Sequence, residues 1–147
     1  VKVVEGEKRA LTEKTRILIV DEDQEFVQAS LPALVDRGYE VSLATSCEEG
    51  LSKLQQAVPG LVMIDLIMNK RGDGILFARK LRRNSQFKAF SKIPLLMLSD
   101  IKQQAEFSFP GLTKHPFFLP VDEFLEKPVS PEVLLQKVED LLKATSA

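Results

Sequence analysis

A chain of 147 residues, 44% apolar and 28% charged, has the length of one domain and is too apolar to stay disordered. Its 20 Lys and Arg against 21 Asp and Glu leave a net charge of -1, which argues against a domain built mainly to grip nucleic-acid phosphates. No apolar run approaches the roughly 20 residues of a membrane helix and no signal peptide opens the chain, so the expectation is a soluble, cytoplasmic protein.

In chain order, residues 1-15 are charged and without period, and read as an N-terminal arm or linker remnant. The domain proper is expected over 16-143, with 144-147 as a tail. Ile17-Leu18-Ile19-Val20 is a short β-branched run, the pattern of a strand buried on both faces. Gln24 to Arg37 carries Phe26, Val27, Leu31, Leu34 and Val35 at helical spacing and stops at Gly38. Pro32 inside it should kink the helix or loosen one turn. Val41 to Ala44 is a second, weaker strand. Ser46 and Glu49 form a capping box that opens a helix through Gln56. Leu61 to Ile64 is a buried strand ended by Asp65. Gly72-Asp73-Gly74 reads as a turn before a helix over Ile75 to Arg83, whose basic residues gather at its end. Pro94 to Leu98 is the fourth strand. Ile101 to Pro120 shows no sustained period and reads as a short helical piece and an irregular loop. Glu123 to Glu126 is the last strand. Ser130-Pro131 caps a final helix through Lys143.

Five strand-like runs alternating with helices specify a parallel α/β sheet, and right-handed crossovers make it doubly wound. Ligands of such sheets bind beyond the C-terminal strand ends. Here those ends carry Asp21-Glu22-Asp23, Asp65, Ser99-Asp100 and Lys127-Pro128. Converging carboxylates repel one another unless a cation joins them, and hard oxygen ligands suit Mg²⁺. A hydroxyl and an ammonium facing the same spot would orient the oxygens of a transferred phosphoryl group. The chemistry suggested is an aspartyl phosphate, with a carboxylate as nucleophile.

The pieces I-L-I-V-D-E-D, V-M-I-D-L-I-M, a following D-G, L-L-M-L-S and F-L-E-K-P-V, in that order and spacing, resemble the receiver domain of two-component response regulators. The resemblance covers Arg16 to Lys143 and implies a flavodoxin-like three-layer sandwich. It implies that Asp65 is the phosphoacceptor and that Mg²⁺ is bound by Asp65, by Glu22 directly, by Asp21 through water, and by the carbonyl of Ile67. Ser99 matches the hydroxyl that contacts the attached phosphoryl group. Lys127 matches the lysine that pairs with it and should lie near the unphosphorylated Asp65 carboxylate, before a cis Pro128. Phe124 matches the aromatic switch that reports phosphorylation. The implied partners are a sensor histidine kinase, a downstream protein effector, and a second copy of the chain on phosphorylation. Direct nucleic-acid or membrane contact is not expected, and the role is a switch, not an enzyme's. With the chain ending soon after the last helix, output should pass by protein contact or through a further domain outside this sequence.

Several positions depart from that pattern. Asn69 stands where the family usually has Pro, the D-G arrives one residue late, and Asp100 replaces a small residue. Ile67 and Ile101 at the mouth of the site should exclude water and slow hydrolysis of the phosphoryl group. Three other readings stay open. A degenerate receiver would act only as a docking module. A phosphatase of the haloacid-dehalogenase type wants a second Asp where Ile67 stands. A flavodoxin-like cofactor binder wants a hydroxyl- and Gly-rich loop after the first strand. Outside the strand ends, Cys47 reads as a helix-start residue with no redox role, and His115 as a loop residue. Phe107, Phe109, Phe117 and Phe118 read as loop packing, and Arg79-Lys80 with Arg82-Arg83 as a solvated helix end.

Overall fold

The structure is a computed structural model that describes residues 14–66, 68, 73–83, 85–100 and 121–146. Its elements run β1 Arg16–Val20, α1 Gln24–Asp36, β2 Glu40–Ala44, α2 Cys47–Gln56, β3 Leu61–Asp65, α3 Asp73–Arg83, a 3-10 helix Ser85–Phe90, β4 Leu95–Asp100, β5 Glu123–Lys127 and α4 Pro131–Ser146. The five strands form one sheet in the order β2-β1-β3-β4-β5, every neighbouring pair parallel. This is the doubly wound α/β sandwich that the alternation of runs specified.

Side chains alternate across the sheet, so each strand feeds two cores. On one face Leu18, Val20, Val62, Ile64, Leu95 and Met97 pack under α2 and α3 with Leu54, Phe77 and Leu81. On the other, Ile17, Ile19, Leu61, Met63, Leu96 and Leu98 pack under α1 and α4 with Val27, Leu34, Leu134 and Val138. Double burial explains why β1 and β3 are apolar runs without polar alternation.

The helix ends follow local chemistry. Asp23 caps α1, its side chain accepting from Phe26 N. Gly38, at φ 98°, closes α1 by donating to Val35 O while Tyr39 N donates to Leu34 O. That pair of bonds is a Schellman ending, in which a glycine takes the left-handed position. Ser46 accepts from Glu49 N, and Glu49 reaches back to Thr45 N at 2.8 Å. Ser130 accepts from Val133 N, with Pro131 as the first helical residue.

Three expectations are corrected, and one short element lies where none was stated. Helix α1 runs unbroken through Pro32 to Asp36. Asp73 and Gly74 belong to the first turn of α3 instead of a preceding turn. The 3-10 helix before β4 had no periodic signal, being only 6 residues long, and is anchored by buried Phe87 and Phe90. Arg82 is no solvated helix end. Its Nη1 donates to the carbonyls of Ser91 (2.6 Å) and Ile93 (2.7 Å), and its Nη2 to Asp122 Oδ2 (2.6 Å). The same Asp122 oxygen accepts from Leu95 N at 2.7 Å. One guanidinium therefore ties the end of α3 to the start of β4 and to the residue before β5. Arg82→Ala is expected to cost about 2–3 kcal/mol, because two carbonyls and a carboxylate lose a charged donor together. Urea unfolding measures it, with Arg82→Lys recovering only part, since an ammonium cannot span the same fork. A loss below about 0.5 kcal/mol, the level of an ordinary surface substitution, would show that the clamp is idle.

Candidate functional site

The site lies at the C-terminal edge of the sheet, where parallel register brings distant strand ends level. Val20 pairs with Ile64, so Asp21 and Asp65 stand side by side on neighbouring strands. Asp65 pairs with Leu98, one residue before Ser99, and Asp100 pairs with Lys127. Alternation then sorts these residues between the faces. Asp21 continues the series Ile17 and Ile19, Asp65 the series Leu61 and Met63, and Lys127 follows Leu125, all on the α1–α4 side. Ser99 continues Leu95 and Met97 on the α2–α3 side, the side against which Phe124 packs. The expected acidic and basic residues therefore share one face, and the expected hydroxyl and aromatic switch share the other.

Asp21, Asp65, Ser99 and Lys127 are all buried, although each is polar or charged. Glu22 is exposed. Lys127 Nζ lies 2.9 Å from Asp21 Oδ2 and 3.4 Å from Asp23 Oδ2. It also stands 4.6 Å from the centroid of the Phe26 ring, within cation–π range. Burial pushes the Asp21 carboxyl up from its ordinary value, while the Lys127 charge and a hydrogen bond from Asp23 N hold it down in part. Burial opposes the charge on Lys127 as well. The nearby Asp21, then Asp65 and Asp23, outweigh that penalty and raise its pKa above the ordinary lysine value. The expected nearness of Lys127 to Asp65 is thus felt through charge, and its close ion pairs include the acids after β1. The Lys127-Pro128 peptide is cis, as the resemblance implied.

Among the described residues no group of three or more His, Cys, Asp or Glu side chains is arranged to hold a metal ion. A Mg²⁺ ion needs only one or two carboxylates, because it keeps waters in its shell. Asp21 Oδ2 meets that need. It is buried, and its near neighbour is the Lys127 ammonium at 2.9 Å. Together with Asp65 it makes a donor set fit for such a hard cation.

Gly74 has a role that its place in a D-G pair did not disclose. A Cβ built there would lie 1.9 Å from Asp65 O and 2.8 Å from Leu66 O. The first turn of α3 thus rests directly on the backbone that carries Asp65. Cys47 opens α2, and its Sγ donates to Asp73 O at 3.5 Å. Burial, then the nearby acids, push the thiol up to about 11, which keeps it a thiol at neutral pH. Nothing in the sequence marks Asp23 and Phe26 as Lys127 partners. In sequence Asp23 is the end of an acidic run, and Phe26 is one member of an apolar stripe. Ile67, Asn69, Ile101 and the whole of 101–120, with His115 and four phenylalanines, lie outside the described residues. Among the described residues no helix is long and apolar enough to cross a membrane.

A family model described as the response regulator receiver domain matches residues 17–139. RpaA of Synechocystis sp., named a DNA-binding dual master transcriptional regulator, is 32% identical over 130 residues, covering 88% of this chain and 50% of RpaA. PhoP of Bacillus subtilis, named an alkaline phosphatase synthesis transcriptional regulatory protein, is 30% identical over 128 residues, covering 87% of this chain and 48% of PhoP. The chain spans about half the length of the curated relatives it matches. Among solved structures, a CheY-like receiver domain protein from Methanospirillum hungatei superposes with a TM-score of 0.73 at 23% identity, over 91% of this chain and 98% of that one. Chemotaxis protein CheY4 of Vibrio cholerae superposes with a TM-score of 0.71 at 28% identity, over 88% and 99%. With its parallel sheet, its strand-end acids and its buried lysine, this chain belongs to the response regulator receiver family.

Proposed function

We propose that this receiver is a phosphorylation-dependent switch in which Asp65 accepts a phosphoryl group from a sensor histidine kinase. The observation that carries the reading is the sharing of one sheet face by Asp21, Asp65 and the buried Lys127 ammonium. A carboxylate oxygen of Asp65 attacks phosphorus, an acyl phosphate bond forms, the bond from phosphorus to the donor histidine breaks, and the imidazole leaves with a proton. Asp21 and Asp65 would hold Mg²⁺, with Glu22 and the Ile67 carbonyl as further ligands by resemblance. When bound, the ion neutralises charge on the phosphoryl oxygens. Lys127 supplies a fixed positive charge beside the new dianion, in a site where burial strengthens it.

Ser99 then contacts a phosphoryl oxygen from the opposite face of the sheet. Phe124, on that same face, packs into the space Ser99 leaves and carries the change to the α2–α3 side. Output is contact with a protein effector. With a net charge of -1, this domain is assigned no phosphate-gripping role of its own.

Mass spectrometry after incubation with a small phosphodonor tests the reading. Label is expected on the Asp65 peptide with Mg²⁺ present, and neither with a chelator nor in Asp65→Asn. A folded wild-type chain that takes no label would replace this reading with that of a docking module.

A further inference from the structure

Helix α1 begins beside the Lys127 ammonium, and its cap Asp23 and its residue Phe26 meet that charge in a closed triangle. Asp23 Oδ1 accepts from Phe26 N at 3.1 Å, and Asp23 Oδ2 lies 3.4 Å from Lys127 Nζ. Nζ in turn stands 4.6 Å from the centroid of the Phe26 ring. One carboxylate therefore fixes both ends of the contact between cation and ring.

An apolar stripe would accept Leu or Met at this position, and Phe26 does pack against the α1–α4 core. Only an aromatic side chain adds a negative face toward the ammonium. We propose that Phe26 is a positioning residue for Lys127, holding its ammonium at the rim of the site. The proposal rests on the phosphoryl-transfer reading above and deepens it. A lysine stem is long and loses much rotamer freedom when its end is drawn to one place. The ring takes that loss before the donor arrives. It offers no lone pair, so it attracts the cation without claiming the N–H directions that carboxylate or phosphoryl oxygens need. Asp23, Phe26, Lys127 and Pro128 line part of an open depression of about 280 Å³, which leaves the contact reachable from solvent.

The test uses the full chain with Mg²⁺ and a small acyl phosphate as donor. Phe26→Leu keeps the apolar volume and should slow initial labelling about 5-fold, while Phe26→Trp should return it to within about 2-fold of wild type. Proton NMR of the chain without donor gives a second reading. The ε-methylene protons of Lys127 should lie upfield in wild type and in Phe26→Trp, under the ring current, and shift back in Phe26→Leu. Unfolding midpoints show that both variants remain folded. Equal labelling by Phe26→Leu and wild type, or a Trp variant as slow as Leu, overturns the proposal. If wild type takes no label, the phosphoryl-transfer reading fails. The Lys127 shift then decides the ring contact alone, and its absence overturns that too.

Discussion

Gly74→Ala is expected to unseat α3 from the end of β3, with a loss of stability above about 3 kcal/mol. The added methyl would sit 1.9 Å from Asp65 O and 2.9 Å from the Asp65 carbonyl carbon. Both are backbone atoms in a fully buried strand, so no side-chain rotation relieves the overlap. The helix must move, and it takes with it buried Ile75, Phe77, Ala78 and Leu81. Urea unfolding and near-ultraviolet circular dichroism measure the change. The same shift moves the Asp65 backbone, so any folded fraction should also label slowly. Wild-type stability in this variant would mean that α3 does not rest on β3. Gly50→Ala differs in the kind of atom met, because its new methyl would meet the buried side chains of Val20 (Cγ2, 2.9 Å) and Phe77 (Cε2, 3.2 Å) instead of backbone.

Lys127→Met is expected to destabilise the metal-free protein by about 3–5 kcal/mol near neutral pH, the usual result of removing one partner from a buried ion pair. Asp21 is nearly inaccessible to water, and without the ammonium its carboxyl loses the charge that offsets its burial. The pH dependence follows from two opposite shifts. The pKa of Lys127 is raised above 10.5 in the folded state, so its contribution is complete below 10.5 and is lost as pH rises through the folded value. The pKa of Asp21 is raised above 3.8, so its charged form costs stability, and that cost fades as pH falls through its folded value. The gap between wild type and Lys127→Met should therefore be widest between those two ranges and narrow at both ends. Unfolding titrations in chelator across that span check it. A gap that stayed constant into acid would place the lost stability in packing, not in charge. Added Mg²⁺ should recover part of the loss, since a ligand that binds only the folded state stabilises it.

What the residues determine on their own is local. β-Branched runs between turn residues mark buried strands, Gly38 and Ser130-Pro131 mark helix ends, and alternation with helices makes the sheet parallel. A parallel sheet aligns all its C-terminal ends, so Asp21, Asp65, Ser99 and Lys127 had to gather at one edge once the five strands were recognised. Their grouping was legible because each sits one or two residues from the end of an apolar run. The tertiary structure decided the rest, through register and helix placement. Which face each strand-end residue occupies turns on the register of neighbouring strands, where a slip of one residue exchanges the faces. Lys127 meets Asp23 across 104 positions of chain, and no spacing rule reaches that far. Arg82 looks like any basic helix end until the starts of β4 and β5 arrive beneath it. Gly74 looks like a turn residue until α3 lies on the Asp65 carbonyl. Periodicity orients side chains within one element, whereas these contacts join elements that only packing brings together.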